Sequence, residues 1–238
     1  MPPKRDFKLI GRGVYTIAET ARLAKVSVSQ VQRWTKGHWY RYRGERRFSP
    51  PIIGTGVEKG EGSPSLQFQD LMEIRFLRAF RQYGVSWRVI RLAAGRVQEL
   101  LGRTHPFATR VFRTDGRTIL AELVSDEFHN DERFLDLVSD QLEWEHFVRP
   151  HLLPEEIEFY ENDEPGRWWP LKRDREVVVD PARSFGAPIV HREGVLTYLL
   201  AKAVGLEGDA RLVAHWYDVS PRAVADAVEF ETRFLAAA

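Results

Sequence analysis

Ser27, Ser29, Gln30 and Arg33 lie within two helical turns of one another in the stretch TIAETARLAKVSVSQVQRW, Thr16 to Trp34. These are residue types that read base edges: Arg can pair bidentately with guanine and Gln with adenine, and hydroxyls serve either. Lys36 follows at once, and Arg41, Arg43, Arg46 and Arg47 are spaced through the next turns of sequence. Arginines in such number suit phosphates, and Tyr40 or Tyr42 between them can pack on the backbone sugars. Thr16, at the start of the stretch, completes the candidate set. The chemistry this points to is recognition of duplex nucleic acid rather than bond making.

The elements that must position these residues can be read from the same stretch. Thr16-Ile-Ala-Glu19 is a capping-box pattern, and Ile17, Ala21 and Leu23–Ala24 follow on a helical stripe. Ser27-Val-Ser-Gln30 opens a second helix in the same way, with Val28, Val31 and Trp34 as its buried face and Gly37 as its stop. Only Lys25-Val26 lies between the two, so the helices must cross steeply, as in a helix-turn-helix. In HWYRYRGERRFSP, His38 to Pro50, the aromatic residues favour strand and Gly44 favours a turn, which predicts a small basic wing. An ordinary helix pair with solvated arginines would share the pattern. The wing and the local charge tip the balance toward DNA binding.

That charge is lopsided. Residues 1–50 hold twelve Lys/Arg against three Asp/Glu, so the remaining chain carries −8 of a total of +1. A basic end on an acidic body implies a polyanion partner at one end and a second task elsewhere. Cysteine is absent, which excludes disulfides, thiolate metal sites and a Cys nucleophile. No apolar run approaches a membrane span, and a cytoplasmic protein is expected.

Further along, Pro, Gly and Ser in 49–65 predict a loop. Leu71, Ile74, Leu77 and Phe80 predict a helix stopped by Gly84, and Ser86 caps another that runs to Gly102. The segment 103–124 reads as a hairpin around Asp115-Gly116. Residues 126–176 are acidic, with 16 Asp/Glu against 6 Lys/Arg, a helix near 131–149 and a turn-rich piece after it. A strand at 175–181 and three helices, about 194–204, 208–216 and 221–236, close the chain, the last opening on Ser220-Pro221.

Two resemblances rest on these motifs. Residues 15–101 resemble the MerR-type winged helix-turn-helix, through YTIAETARLAKVSVSQVQRWTKG, the wing, and FQDLMEIRFLRAFRQYGVSWRVIRLA with its Gly84-Val85-Ser86 turn. That resemblance implies a homodimer on two-fold operator DNA. The chain departs from the family in lacking a long terminal coiled coil and sensing cysteines. Residues 175–236 are similar to the small domain of VapB-like antitoxins usually paired with PIN-type toxins. The carriers are Val179-Asp180-Pro181, Phe185-Gly186-Ala187-Pro188-Ile189-Val190, Gly194, Thr197 and Trp216–Val228. Together the resemblances imply an antitoxin that represses its own operon and neutralises a PIN-type ribonuclease. The alternative is a one-component regulator whose C-terminal region binds a small effector.

Partner contacts are expected at Arg167, Trp168 and Trp169 in RWWPL, or at Trp216 and Tyr217, because Trp and Arg dominate interface hot spots. Burial of the Trp pair in the chain's own core is the competing reading. Glu143, Glu145 and His146 with His151 form the densest metal-like constellation, but Pro150 interrupts it and the full ligand spacing is missing. No phosphate-binding or hydrolase fingerprint appears, so no metal, cofactor or enzymatic activity is expected. The expected fold is mainly α with some β. It comprises a winged helix-turn-helix over 1–102, an acidic α+β segment over 103–174 and a strand plus three helices over 175–238. Deleting 175–238 is expected to remove toxin neutralisation and leave some DNA binding.

Overall fold

The computed structural model describes residues 11–54, 65–122, 132–148 and 156–235. Both predicted capping boxes form. Thr16 Oγ1 accepts from the Glu19 N–H at 3.1 Å and opens α1 (Ile17–Ala24); Ser27 Oγ accepts from the Gln30 N–H at 3.2 Å and opens α2 (Val28–Lys36). Lys25 makes the turn between them in the left-handed region, φ 55°. The buried face of α2 is Val31, Trp34 and Thr35; Val28, expected inside, is exposed on the first turn. The wing pairs β1 (His38–Tyr42) with β2 (Glu45–Ser49), antiparallel, through a two-residue turn in which Arg43 and Gly44 both have positive φ.

Two long helices brace this unit, α3 (Phe68–Tyr83) and α4 (Trp87–Leu101), with Gly84 left-handed at φ 97° and Ser86 capping the second, as predicted. Of the predicted 49–65 loop, 55–64 lie outside the described residues, whereas Ile53 is buried in the core.

Residues 103–124 correct the sequence reading. They hold α5 (Arg110–Glu122), not a hairpin. Phe112, Gly116 and Leu120 recur every four residues and all are buried. Gly116 faces Trp144, whose Cζ2 would lie 2.9 Å from an added Cβ. Gly116 is therefore a small-residue contact on a helix rather than part of a turn, and Thr109 caps that helix through the Phe112 N–H at 3.1 Å. The predicted helix near 131–149 is two, α6 (Glu132–Ser139) and α7 (Gln141–Val148), with Asp140 capping the second.

A four-stranded antiparallel sheet follows in sequence order: β3 (Ile157–Phe159), β4 (Pro165–Trp168), β5 (Val177–Val179) and β6 (Pro188–Val190). Sequence reading had one strand here. The other strands are three or four residues long, too short to show an alternating pattern. Helices α8 (Thr197–Glu207), α9 (Ala210–Trp216) and α10 (Pro221–Leu235) complete the chain. The outcome is mainly α with some β, as expected. Among the described residues no helix is long and apolar enough to cross a membrane.

β5 is buried on both faces, so its side chains divide between cores. Val177 and Val179 join the large cluster around α3, while Val178 packs with Trp169 and Ile189. That large cluster runs from Tyr15 and Leu23 in the helix-turn-helix to Phe230 and Phe234 in α10. A smaller one, around Leu200, Val213 and Val224, belongs to α8–α10.

The large core also holds ionisable groups. His105 Nε2 lies 2.8 Å from Asp70 Oδ1, and the Glu73 carboxylate accepts the Ala108 N–H at 2.8 Å. Burial pushes Glu73 up to about 7, although the His105 charge and the backbone bonds pull the other way. Burial alone would lower His105, but its bond to Asp70 and the charges of Glu73 and Asp70 outweigh this and raise it. Both groups thus hold protons more tightly when folded. Their contribution is complete at low pH and is lost as pH rises, from about 4.5 to 7 for Glu73 and above 6.5 for His105. From Glu73 alone, folding stability should fall by about 2–3 kcal/mol between pH 5 and 8, at ~1.4 kcal/mol per tenfold change in proton affinity, and His105 adds to the fall in the same direction. Glu73→Gln should flatten that slope in urea titrations. Equal stability of the native chain at both pH values would refute the assignment.

Candidate nucleic-acid interface

The wing continues directly from α2. Gly37, φ 72°, joins them, and a Cβ there would come within 2.5 Å of the Ser49 carbonyl, so glycine is required for β2 to return this close. The Trp34 carbonyl accepts the Ile52 and Ile53 N–H groups at 2.9 and 3.1 Å, tying the end of the wing to α2. Arg91 on α4 donates to Ser49 Oγ at 2.8 Å, and the Trp34 and Trp87 rings pack 5.3 Å apart. Sequence reading missed these supports; a polar residue at a strand end and one of three arginines on a helix give no local signal. Burial, then the Arg33 and Arg91 cations, hold His38 below its usual range, so it stays neutral beside them at pH 7.

Thr16, Ser27, Ser29, Arg33, Lys36, Tyr40, Arg41, Arg43, Arg46 and Arg47 are all exposed, and Gln30 is half-buried. The structure thus brings the α2 residues and the wing cations onto neighbouring elements with their side chains in solvent. Some are already engaged. Thr16 and Ser27 spend their oxygens on caps, and Gln30 Oε1 accepts the Ser27 N–H at 2.8 Å. With its Oε1 so engaged, Gln30 has its NH₂ left to offer, which fits an acceptor edge better than the bidentate adenine pairing expected from sequence. On the wing Arg46 lies 4.5 Å over the Trp39 ring, while Arg47 pairs with Glu45 at 3.0 Å. Cations held against aromatic rings keep their charge outward with less freedom to lose on binding.

The helix pair is seated on the far end of the chain. Tyr15 donates its hydroxyl to the Gly186 carbonyl at 2.8 Å, and the Val14 N–H reaches the Phe185 carbonyl at 2.9 Å. Arg22 on α1 pairs at 2.8 Å with Glu231 of α10, a buried carboxylate that also takes the Thr197 hydroxyl at 2.5 Å. Lys25, the turn residue, lies 4.5 Å over the Phe234 ring.

The N-terminal module is a helix-turn-helix. Residues 13–94 match a family described as "Putative DNA-binding HTH domain". The chain is also 26% identical over 224 residues to "Putative antitoxin VapB45" of Mycobacterium tuberculosis, spanning 91% of this chain and 92% of that one. Its fold is that of the crystal structure of Rv2018 from the same organism. The TM-score is 0.71 at 24% identity, over 92% of this chain and 98% of the other.

The expected partner contacts separate. Trp168 and Trp169 are buried in this chain, the first against Phe234 and the Arg75 guanidinium, the second against His191. They are core, not free anchors. Arg167 on β4 is held by the buried Asp180 at 2.8 Å. Trp216 at the end of α9 is exposed and Tyr217 half-buried. Of the metal-like set, Glu143 instead accepts the Tyr83 hydroxyl at 2.5 Å, and His151 lies outside the described residues. Among the described residues no group of three or more metal-ligating side chains comes together.

Proposed function

We propose that this chain is an antitoxin that represses its own operon. A homodimer presents α2 of each copy to the major groove of a two-fold operator, the wings clamp the flanking phosphates, and the C-terminal helices hold a PIN-type ribonuclease toxin. The observation that carries the reading is the juxtaposition of α2 and the cationic wing as one exposed surface. The similarity to a named antitoxin along nearly all of both chains supports the toxin-binding half. Trp216 and Tyr217 are its candidate contacts. On this reading the protein is a MerR-like regulator, works in the cytoplasm and performs no catalysis.

Arg33→Ala should cost about 1–3 kcal/mol on the best operator and relax the preference at one base pair. A base-substitution series by gel shift checks this, and an unchanged preference removes Arg33 from base reading. Arg46→Ala should instead weaken all sequences alike and lower the salt slope by about one unit. The toxin half is tested by co-expression with the product of the adjacent gene: growth arrest by the neighbour alone, relieved in a co-purifying complex, is the expected result.

The effector-regulator alternative has one observation in its favour. A polar cleft of about 260 Å³ opens between the N-terminal module and the sheet, lined by Arg12, Gln67, Gln69, Tyr160 and Glu164. If the neighbouring gene product proves harmless and unbound, that cleft is where a small effector belongs.

A further inference from the structure

The wing carries more aromatic surface than a phosphate clamp uses. Its two strands pair only with each other, and every side chain from Trp39 to Phe48 is exposed. One face accounts for itself. Trp39 stands opposite Phe48, ring to ring at 5.2 Å, and Arg46 covers the Trp, a cross-strand cluster that holds a lone hairpin together.

The other face is held differently: the His38 and Tyr40 rings lie 6.0 Å apart along β1, and Arg47 pairs with Glu45 along β2. Tyr40 stands opposite Arg47 and Tyr42 opposite Glu45, so neither tyrosine has an aromatic partner across the ribbon. They remain 43% and 48% exposed. Arg43 and Arg47 flank the Tyr42 ring at 5.5 and 5.2 Å. Residues two apart on one strand face are about 6.8 Å apart along the strand, roughly twice the ~3.4 Å per nucleotide of a stacked strand. Two rings held parallel at that spacing would leave room for one planar base between them. Exposed rings flanked by arginines are the means by which proteins hold bases without reading them: the rings stack on any base and the cations follow the backbone.

We propose that the Tyr40–Tyr42 face of the wing is a stacking platform for unpaired bases of single-stranded nucleic acid, flanked by Arg43 and Arg47. The platform lies on the wing part of the exposed surface described above, and its stacking role does not depend on α2 reading an operator. A paired base in a duplex offers no free face to it.

The test uses the full chain and a fluorescently labelled oligo-dT of about twelve nucleotides, within the usual site size for such surfaces. A mixed-sequence duplex of the same length is titrated in parallel. The double variant Y40A/Y42A should weaken oligo-dT binding by about tenfold or more, with an unchanged salt slope because no cation is lost. Y40F/Y42F, which keeps the rings and drops the hydroxyls, should bind within about twofold of the native chain. Three outcomes overturn the proposal: no oligo-dT binding at low salt, equal binding by Y40A/Y42A and the native chain, or an equal loss on duplex and oligo-dT. Arg33→Ala reports separately on operator reading through its base preference on duplex, so failure of either proposal is distinguishable from failure of the other.

Discussion

A chain cut after residue 174 should lose its cooperative fold, and with it both the DNA binding and the toxin binding proposed above. The sequence pattern led us to expect some DNA binding to survive the cut, because the two family resemblances occupy opposite ends of the chain. The structure removes that independence. Phe230 and Phe234 of α10 and Val177 and Val179 of β5 belong to the same buried cluster as Tyr15, Leu23 and Trp34. Truncating one buried Phe to Ala costs about 3–5 kcal/mol, against a total stability of about 5–15 kcal/mol for a typical domain. Removing the whole wall, with the Glu231 partner of Arg22, exceeds any such margin. The cut chain should show no cooperative melting transition and no gel shift. Phe230→Ala alone should lose about 3–5 kcal/mol in urea titration. A truncated chain that melts cooperatively and binds operator like the full protein would falsify the shared-core account.

Gly186→Ala should be strongly destabilising for a single added methyl. Gly186 has φ 83°, where an L side chain costs about 1–2 kcal/mol. Its added Cβ would also sit 2.3 Å from the Tyr15 hydroxyl oxygen and 3.0 Å from the Gly13 Cα. The ring cannot yield, because Tyr15 is buried and its hydroxyl is bonded to the same residue's carbonyl. Relieving such a clash costs about 1–3 kcal/mol more, so a loss of about 2–5 kcal/mol is expected. Tyr15→Phe removes only the hydroxyl and should cost about 1 kcal/mol. In the double variant Tyr15→Ala/Gly186→Ala the penalties should not add, since the first change removes the obstacle to the second. Additive losses would mean that the two residues do not meet.

Much of the helix-turn-helix end was legible because its signals are local. Capping boxes, the Lys25-Val26 turn, Gly84 and Ser86 each fix backbone within a few residues, and all formed as read. The wing followed from its aromatic strands and Gly44. The errors arose where the deciding contact is distant in sequence. Gly116 looked like a turn because nothing nearby shows that Trp144 needs the space. The Trp168–Trp169 pair looked like an anchor because β4 is too short to reveal that both its faces are covered. The C-terminal motif was recognisable as a pattern, but its physical content was not. Asp180 holds Arg167 and the Ala182 N–H, Gly186 admits Tyr15, and Thr197 caps the buried Glu231. These motif residues build the seat of the helix-turn-helix; of the motif's large side chains, Phe185 and Trp216 remain most open to a partner.

The seat beneath α1 also constrains how such proteins can be recombined. Arg22 and Glu231 are 209 positions apart in the chain, and Tyr15 and Gly186 are 171. Grafting a new DNA specificity onto this body therefore means keeping Tyr15, Arg22 and Lys25 and exchanging only the outward residues of α2 and the wing. A crossover in the linker after α4, the obvious splice point by sequence, would pair a foreign helix-turn-helix with a socket shaped for another. Specificity is transplantable here as a surface, not as a segment.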